Sequence, residues 1–191
     1  MALLTDLVSI RTGYVRGRFT PDTDGVFAVV EPKHINSRGL IETGTIDYAA
    51  ELDPPDHHQL RAGDVLFVPR GPRHPAAQVQ RRHVNGPLRR AVASSQLYIL
   101  RTDDRLLPAY LTWYLNQEQA QSYFQTFGRG ATIASINQQI LRELPLPVPS
   151  RARQTRIAQI AQLADKETRL AQQLQQKRAT LIQTLLHHAS Q

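Results

Sequence analysis

The 191-residue chain contains no cysteine, which excludes a disulfide framework and a thiolate metal site and is compatible with a reducing interior. Lysine is scarce as well. Lys33, Lys166 and Lys177 are the only lysines, so the excess of 23 basic over 16 acidic residues, a formal charge of +7, is carried by arginine. No stretch approaches the ~20 apolar residues needed to cross a bilayer, and the start MALLTDLVSIRTGYVRGRF lacks an apolar run of signal-peptide length. The expected location is therefore the cytoplasm. Catalytic signatures are missing too: there is no GxxxxGK[ST], no GxGxxG after a strand, no HExxH, and no DPPY or NPPY tetrapeptide of the amino-methyltransferase type. The GRGA at 128–131 is too short to cradle a phosphate. His57-His58 and His187-His188 are adjacent pairs whose side chains point apart on a helix or strand, which argues against a metal site. Asp53 and Asp56, in the proline-rich ELDPPDHH, read as a solvated turn. The expectation is no catalytic residue, no metal and no cofactor in this chain.

What is present is arginine on loops. A basic excess of this kind favours a polyanionic partner, with nucleic acid the first candidate, because the guanidinium fork makes bidentate contacts to phosphate and to guanine edges. Arg70, Arg73 and His74 follow the apolar run DVLFV in the turn PRGPRH, where Gly71 allows close backbone approach to a phosphate. This turn is the best base-reading candidate. Arg16 and Arg18 flank Gly17, Arg38 lies in NSRG, and Arg129 sits between Gly128 and Gly130, so each is a further DNA-binding candidate. Thr132 and Asn137 are added as polar contacts. Arg81, Arg82, Arg89 and Arg90 form a denser stretch suited to holding phosphates irrespective of sequence.

Two parts can be read along the chain, residues 1–150 and residues 151–191. In the first, short runs at 26–30, 40–41, 64–68 and 97–100, rich in β-branched residues and punctuated by Gly and Pro, predict an irregular, mostly antiparallel curved sheet. The segment from Pro108 carries Leu111, Tyr114, Leu115 and Tyr123 at helical spacing, predicting one helix that ends before Gly128. A short helix is predicted over 137–144, and PLPVP after it is extended. The fold class is thus α+β. Beyond Ser150 there is no Gly or Pro, and Ala, Leu, Gln and Arg dominate, which predicts one long helix with Ser150 as N-cap. Arg151, Arg153 and Arg156 sit at the unfavourable end of its dipole. Ile160, Leu163, Glu167, Leu170, Leu174, Lys177 and Leu181 follow a 4,3 spacing, a coiled-coil seam interrupted by two charges. A helix of on the order of 55 Å outreaches a small domain, so its stripe needs a partner helix.

The order of these parts resembles one half of the specificity subunit of type I restriction-modification systems. The resemblance is carried by GDVLFVPRG at 63–71, SSQLYILR at 94–101, PAYLTWYLNQEQAQ at 108–121, GRGATIASINQQIL at 128–141, and LRELPLPVPSRARQTRIAQIAQLAD at 141–165, with Gln154, Ile157 and Ala158 following LPLPVPS. It implies a target-recognition domain (1–150) for half of a bipartite DNA site, then a helix (151–191) that spaces the domains and docks a methyltransferase. Full subunits of that family carry two such domains and two antiparallel helices, whereas this chain has one of each. The unpaired helix is then expected to pair with that of a second copy, giving a homodimer that reads an inverted repeat. The alternative is a fragment of a two-domain subunit. The chain itself is expected to be non-catalytic, with S-adenosylmethionine used by methyltransferase subunits and ATP used where a restriction subunit joins. Two rivals stand beside this reading: a stand-alone dimeric DNA-binding regulator, and an enzyme built around Asp53, Asp56 and His58.

Overall fold

The structure is a computed structural model that describes residues 1–14, 25–49, 52, 54–127 and 135–189. In chain order its elements are β1 (Ala2–Leu3), β2 (Val8–Thr12), β3 (Phe27–Val30), β4 (Asp47–Ala49), β5 (Val65–Phe67), β6 (Ala76–Gln78), α1 (Arg81–Val84), β7 (Ala91–Ala93), β8 (Tyr98–Thr102), α2 (Pro108–Leu115), α3 (Glu118–Phe127), α4 (Gln138–Arg142), β9 (Pro145–Leu146) and α5 (Arg151–Ala189). An antiparallel sheet of order β2-β8-β5-β6 stands at the centre, with a second sheet β4-β3-β7 and a small β1-β9 pair beside it. The sheets are mostly antiparallel, as the sequence predicts, the exception being the parallel β3-β7 pair.

Side-chain alternation sorts the central sheet into two buried faces. Val8, Ile10, Val65, Phe67 and Leu100 pack against Tyr110, Leu111, Tyr114, Leu115, Phe124 and Leu141 of the helices. Leu66, Ala77 and Ile99, one residue out of phase, pack instead against Ala28, Val30, Ala91 and Ala93 of the second sheet. Burial on both faces explains why DVLFV is a continuous apolar run and not an alternating one. The result is a three-layer α+β domain of helices, central sheet and second sheet.

Some expectations change. Leu40-Ile41 is no strand; Ile41 makes one isolated antiparallel bridge to Ile35. The helix expected from Pro108 to Phe127 is broken into α2 and α3 between Leu115 and Glu118. Asn116 causes the break. Its side chain leaves the helix surface to pair with the strand edge at Ala76, accepting from Ala76 N (3.1 Å) and donating to Ala76 O (2.8 Å). Over this junction lies the turn that ends at Gly39, where φ is +74° and an added Cβ would meet Ala76 O at 2.2 Å.

The long helix α5 runs for 39 residues. Its first turns rest on α2 through buried Gln154 and Ala158 and half-buried Ile157. The Gln154 carboxamide accepts from Leu107 N (2.8 Å) and donates to Arg105 O (2.9 Å) and Pro149 O (3.0 Å), so one side chain joins the helix, the loop before α2 and the chain leading into α5. Gln154→Leu keeps the bulk and strands all three backbone groups; at ~1–3 kcal/mol for an unsatisfied buried group, a loss of about 3 kcal/mol is expected in urea unfolding.

At 100° per residue, Gln154, Ala158, Ala161, Asp165 and Gln172 share one face of α5, and the seam from Ile160 to Leu181 is centred roughly 180° away. The seam therefore points away from the helix's own domain. Its apolar members are between 51% (Leu170, Leu174) and 66% (Leu163) exposed, too much for a helix folded back on its own core. Among the described residues no helix is long and apolar enough to cross a membrane.

Candidate nucleic-acid interface

The eight residues between β5 and β6 form a closed frame with an open tip. Val68 N donates to Pro75 O (3.0 Å), which extends the β5-β6 ladder by one rung. Pro75 has no N–H to return to Val68 O, and the His74 ring takes that place, Nδ1 donating at 3.2 Å. Beyond the frame, Arg70 and Arg73 are exposed and Gly71 has φ +131°. A side chain at Gly71 would be strained in that left-handed region, which makes the glycine a requirement of the turn.

Further residues gather at this end of the central sheet. Phe67, Tyr98 and Thr12 stand in register across β5, β8 and β2. Arg70 bridges Ser135, Ile136 N donates to Pro69 O (2.8 Å), and Gln138 Nε2 donates to Thr12 Oγ1 (3.0 Å). The segment entering α4 is thereby tied to the arginine turn. Burial pushes the Tyr98 phenol up, and the nearby Arg70 cation opposes the shift.

The other candidates fall in different places. Arg16, Arg18, Arg129 and Thr132 lie outside the described residues, as does Asp53. His74 requires correction as a base reader: it is 1% exposed and stacks on Phe67, with Phe124 edge-on, so its side chain belongs to the core. Asn137 is exposed, but its carboxamide accepts from Ile140 N (2.8 Å) as the N-cap of α4. Arg38 turns toward the long helix and donates to Gln172 Oε1 (2.6 Å). Arg81 and Arg82 follow β6 at the end of the sheet opposite to Arg70, beside Gln162 of α5. Arg90 lies 4.5 Å above the Phe27 ring. The arginines thus form two groups: Arg70 and Arg73 at one end, and Arg38, Arg81 and Arg82 beside the helix base at the other.

Arg101 is spent on structure. It makes a two-pronged ion pair with buried Asp64 (2.7 and 3.1 Å) and reaches Gln59 O (3.2 Å). The hydrogen bond to Asp64 is the main reason its guanidinium pKa is raised. Asp56 accepts from Gln59 within the short turn that also holds His57 and His58. Among the described residues, Glu31, His34 and Asp47 place ligand-type atoms within 4.8 Å of one another. Lys33 already occupies that cluster, 2.9 Å from Glu31 and 2.8 Å from Asp47. Both His34 nitrogens are also engaged, Nδ1 accepting from Glu31 N (3.0 Å) and Nε2 donating to Thr45 O (3.1 Å). This is a side-chain network built on an ammonium, with no vacant lone pair on the histidine.

Burial lowers the pKa of His34, His74 and His83 below the usual 6.5. The folded state keeps them neutral while unfolded histidines bind protons near pH 6.5, so their contribution is complete above that pH and is lost as the pH falls below it. His34 and His83 also accept backbone N–H bonds at Nδ1, which protonation would break. Thermal melts are expected to give a clearly lower Tm at pH 5.5 than at pH 7.5, and the drop should shrink in His34→Gln.

These features describe an α+β domain that presents Arg70 and Arg73 at one end of its central sheet and carries a projecting helix with an exposed apolar stripe. Residues 88–177 match the type I restriction modification DNA specificity domain, and the chain is similar to the specificity subunits of type I restriction-modification systems. Solved structures share the fold. A chain from a type I restriction-modification system, studied for complex assembly and conformational transition, superposes with a TM-score of 0.64 at 18% identity, over 96% of this chain and 42% of that one. The HsdS subunit from Thermoanaerobacter tengcongensis gives 0.57 at 17% identity, over 86% of this chain and 36% of that one. The S subunit from M. genitalium gives 0.54 at 15%, over 86% and 38%. This chain spans less than half the length of each. No curated protein matches the sequence.

Proposed function

We propose that this chain is a non-catalytic DNA-recognition subunit that reads one half of a bipartite site and pairs through α5 with a second copy. The observation that carries the reading is the specificity-domain match itself, which runs without interruption from the core of the domain into the long helix. S-adenosylmethionine, and ATP where a restriction subunit joins, belong to partner subunits, and the complex works in the cytoplasm. The role of this chain is placement: Arg70 and Arg73 contact the duplex at the open end of the sheet, and the paired helices fix the distance between two such ends.

The seam supports an antiparallel pairing. Taking Gln172 as the centre, Leu163 meets Leu181, Leu170 meets Leu174 and Glu167 meets Lys177, so every apolar residue of these pairs faces an apolar one and the acid faces the base. Parallel in-register pairing would stack Glu167 on Glu167 and Lys177 on Lys177. Each domain packs on α5 between Gln154 and Asp165, with the Arg38 side chain reaching on to Gln172; the packed stretch is centred near residue 160, about 12.5 residues from the pairing centre. The two domains would stand about 37 Å apart along the helices, the length of about eleven base pairs. That is close to one turn of DNA, which puts both reading ends on the same side of a duplex.

The test is modification-aware sequencing of the host genome with and without the gene. Loss of a methylation motif made of two inverted identical halves supports the reading. Loss of an asymmetric bipartite motif would instead identify the chain as one half of a two-domain subunit, which its coverage of 42% of a solved relative also fits. Unchanged methylation, with no methyltransferase recovered alongside the tagged protein, would point to the stand-alone regulator.

A further inference from the structure

The arginine turn is held from outside the sheet by a side chain that does not belong to it. Gln121, on α3, is 2% exposed. Its Oε1 accepts from His74 N (3.1 Å), and its Nε2 donates to His74 O (2.9 Å) and to Leu115 O (2.8 Å). A carboxamide thus pairs with a backbone residue as a neighbouring strand would. Asn116 does the same two residues further on, at Ala76, and also donates to Thr112 O (2.8 Å). Since β6 is an edge of the central sheet, the two amides satisfy its outward backbone groups. They differ in position. Asn116 holds the strand proper, whereas Gln121 holds the residue at which the turn closes, the same residue whose ring donates to Val68 O.

With N–H, C=O and ring all engaged, His74 has no freedom to rotate, and the chain from Pro69 to Arg73 must span a fixed gap. We propose that Gln121 and His74 are positioning residues for DNA reading: they fix the frame from which Arg70 and Arg73 are presented. This rests on the reading of the turn given above. A reading contact needs the guanidinium held to within a fraction of an ångström, so slack in the frame costs discrimination between sequences before it costs attraction to phosphate.

The probe is a duplex carrying the sequence that wild-type full-length protein enriches from a randomised pool, compared with a scrambled duplex of the same length. In Gln121→Met, which keeps the bulk and removes both hydrogen-bonding functions, the ratio of the two affinities is expected to fall at least tenfold with the salt dependence unchanged. Asn116→Leu is the structural control: it should lower Tm to a similar extent and leave the ratio within twofold. In the Gln121→Met background, Arg70→Ala should cost much less than in wild type. Should Gln121→Met not fold, His74→Leu is read on the same scale. A full affinity ratio in whichever variant folds, or equal losses from Gln121→Met and Asn116→Leu, overturns the proposal. If Arg70→Ala and Arg73→Ala themselves leave wild-type binding unchanged, the reading of the turn has failed, and the positioning role with it.

Discussion

Replacing Arg70 and Arg73 together by alanine is expected to weaken binding to a specific duplex on the order of a hundredfold or more, while the fold, read by Tm, stays intact. Both side chains are exposed, neither has a structural ion pair among the described contacts, and both leave a turn whose frame is closed behind them at Val68 and His74. Loss of a bidentate base contact costs about 1–3 kcal/mol, and two such losses give the stated range. An arginine on a base should relax specificity at its position, whereas one on a phosphate should weaken all sequences alike and reduce the salt slope by about one. Measuring each single variant on specific and scrambled duplexes assigns the two roles. Arg38→Ala with Arg81→Ala is the matched control, since these residues flank the helix base at the other end of the sheet; a loss as large as that of Arg70 and Arg73 would show that the reading end has been misplaced.

The second large effect concerns assembly. Leu170 and Leu174 lie either side of the centre of the proposed helix pair, and each is 51% exposed in the isolated chain. Changing both to glutamine preserves helix propensity and removes four apolar side chains from a dimer, at ~1.5–3 kcal/mol each if fully buried. A dimer formed at micromolar concentration should become monomeric in sedimentation equilibrium. Glu167→Lys alone should weaken the dimer, and Glu167→Lys with Lys177→Glu should restore it. Restoration distinguishes antiparallel from parallel pairing, because only the former brings these residues together.

The parts of the molecule that were legible in the sequence are those where one force dominates. The long helix follows from 41 residues without Gly or Pro, and the buried strand DVLFV follows from its apolar run. The strands β6 and β7 were not legible, because the alanines that dominate AAQ and AVA have little intrinsic β preference and each run is only three residues long. They form because alanines let two sheets close on each other. The break after α2 was hidden for a related reason: Asn116 and Gln121 are acceptable helix residues, and their pairing with Ala76 and His74 is a tertiary fact that no periodicity encodes. His74 misled in the opposite direction. A histidine beside two arginines and a glycine reads as a surface ligand, yet the proline after it deprives Val68 O of a backbone donor, and burying the ring as a replacement is what closes the turn. Arg38 and Asn137 are polar turn residues whose side chains are likewise engaged within the molecule, Asn137 in capping α4 and Arg38 in reaching Gln172 of the long helix.

The most direct test of the account is selection of binding sites from randomised duplex DNA by the purified full-length protein, with the stoichiometry of the selected complex measured alongside. Two chains per duplex are expected, on two identical inverted half-sites whose centres lie about eleven base pairs apart across an unselected spacer. Enrichment of one uninterrupted motif by a single chain, or no enrichment over the starting pool, would contradict this expectation.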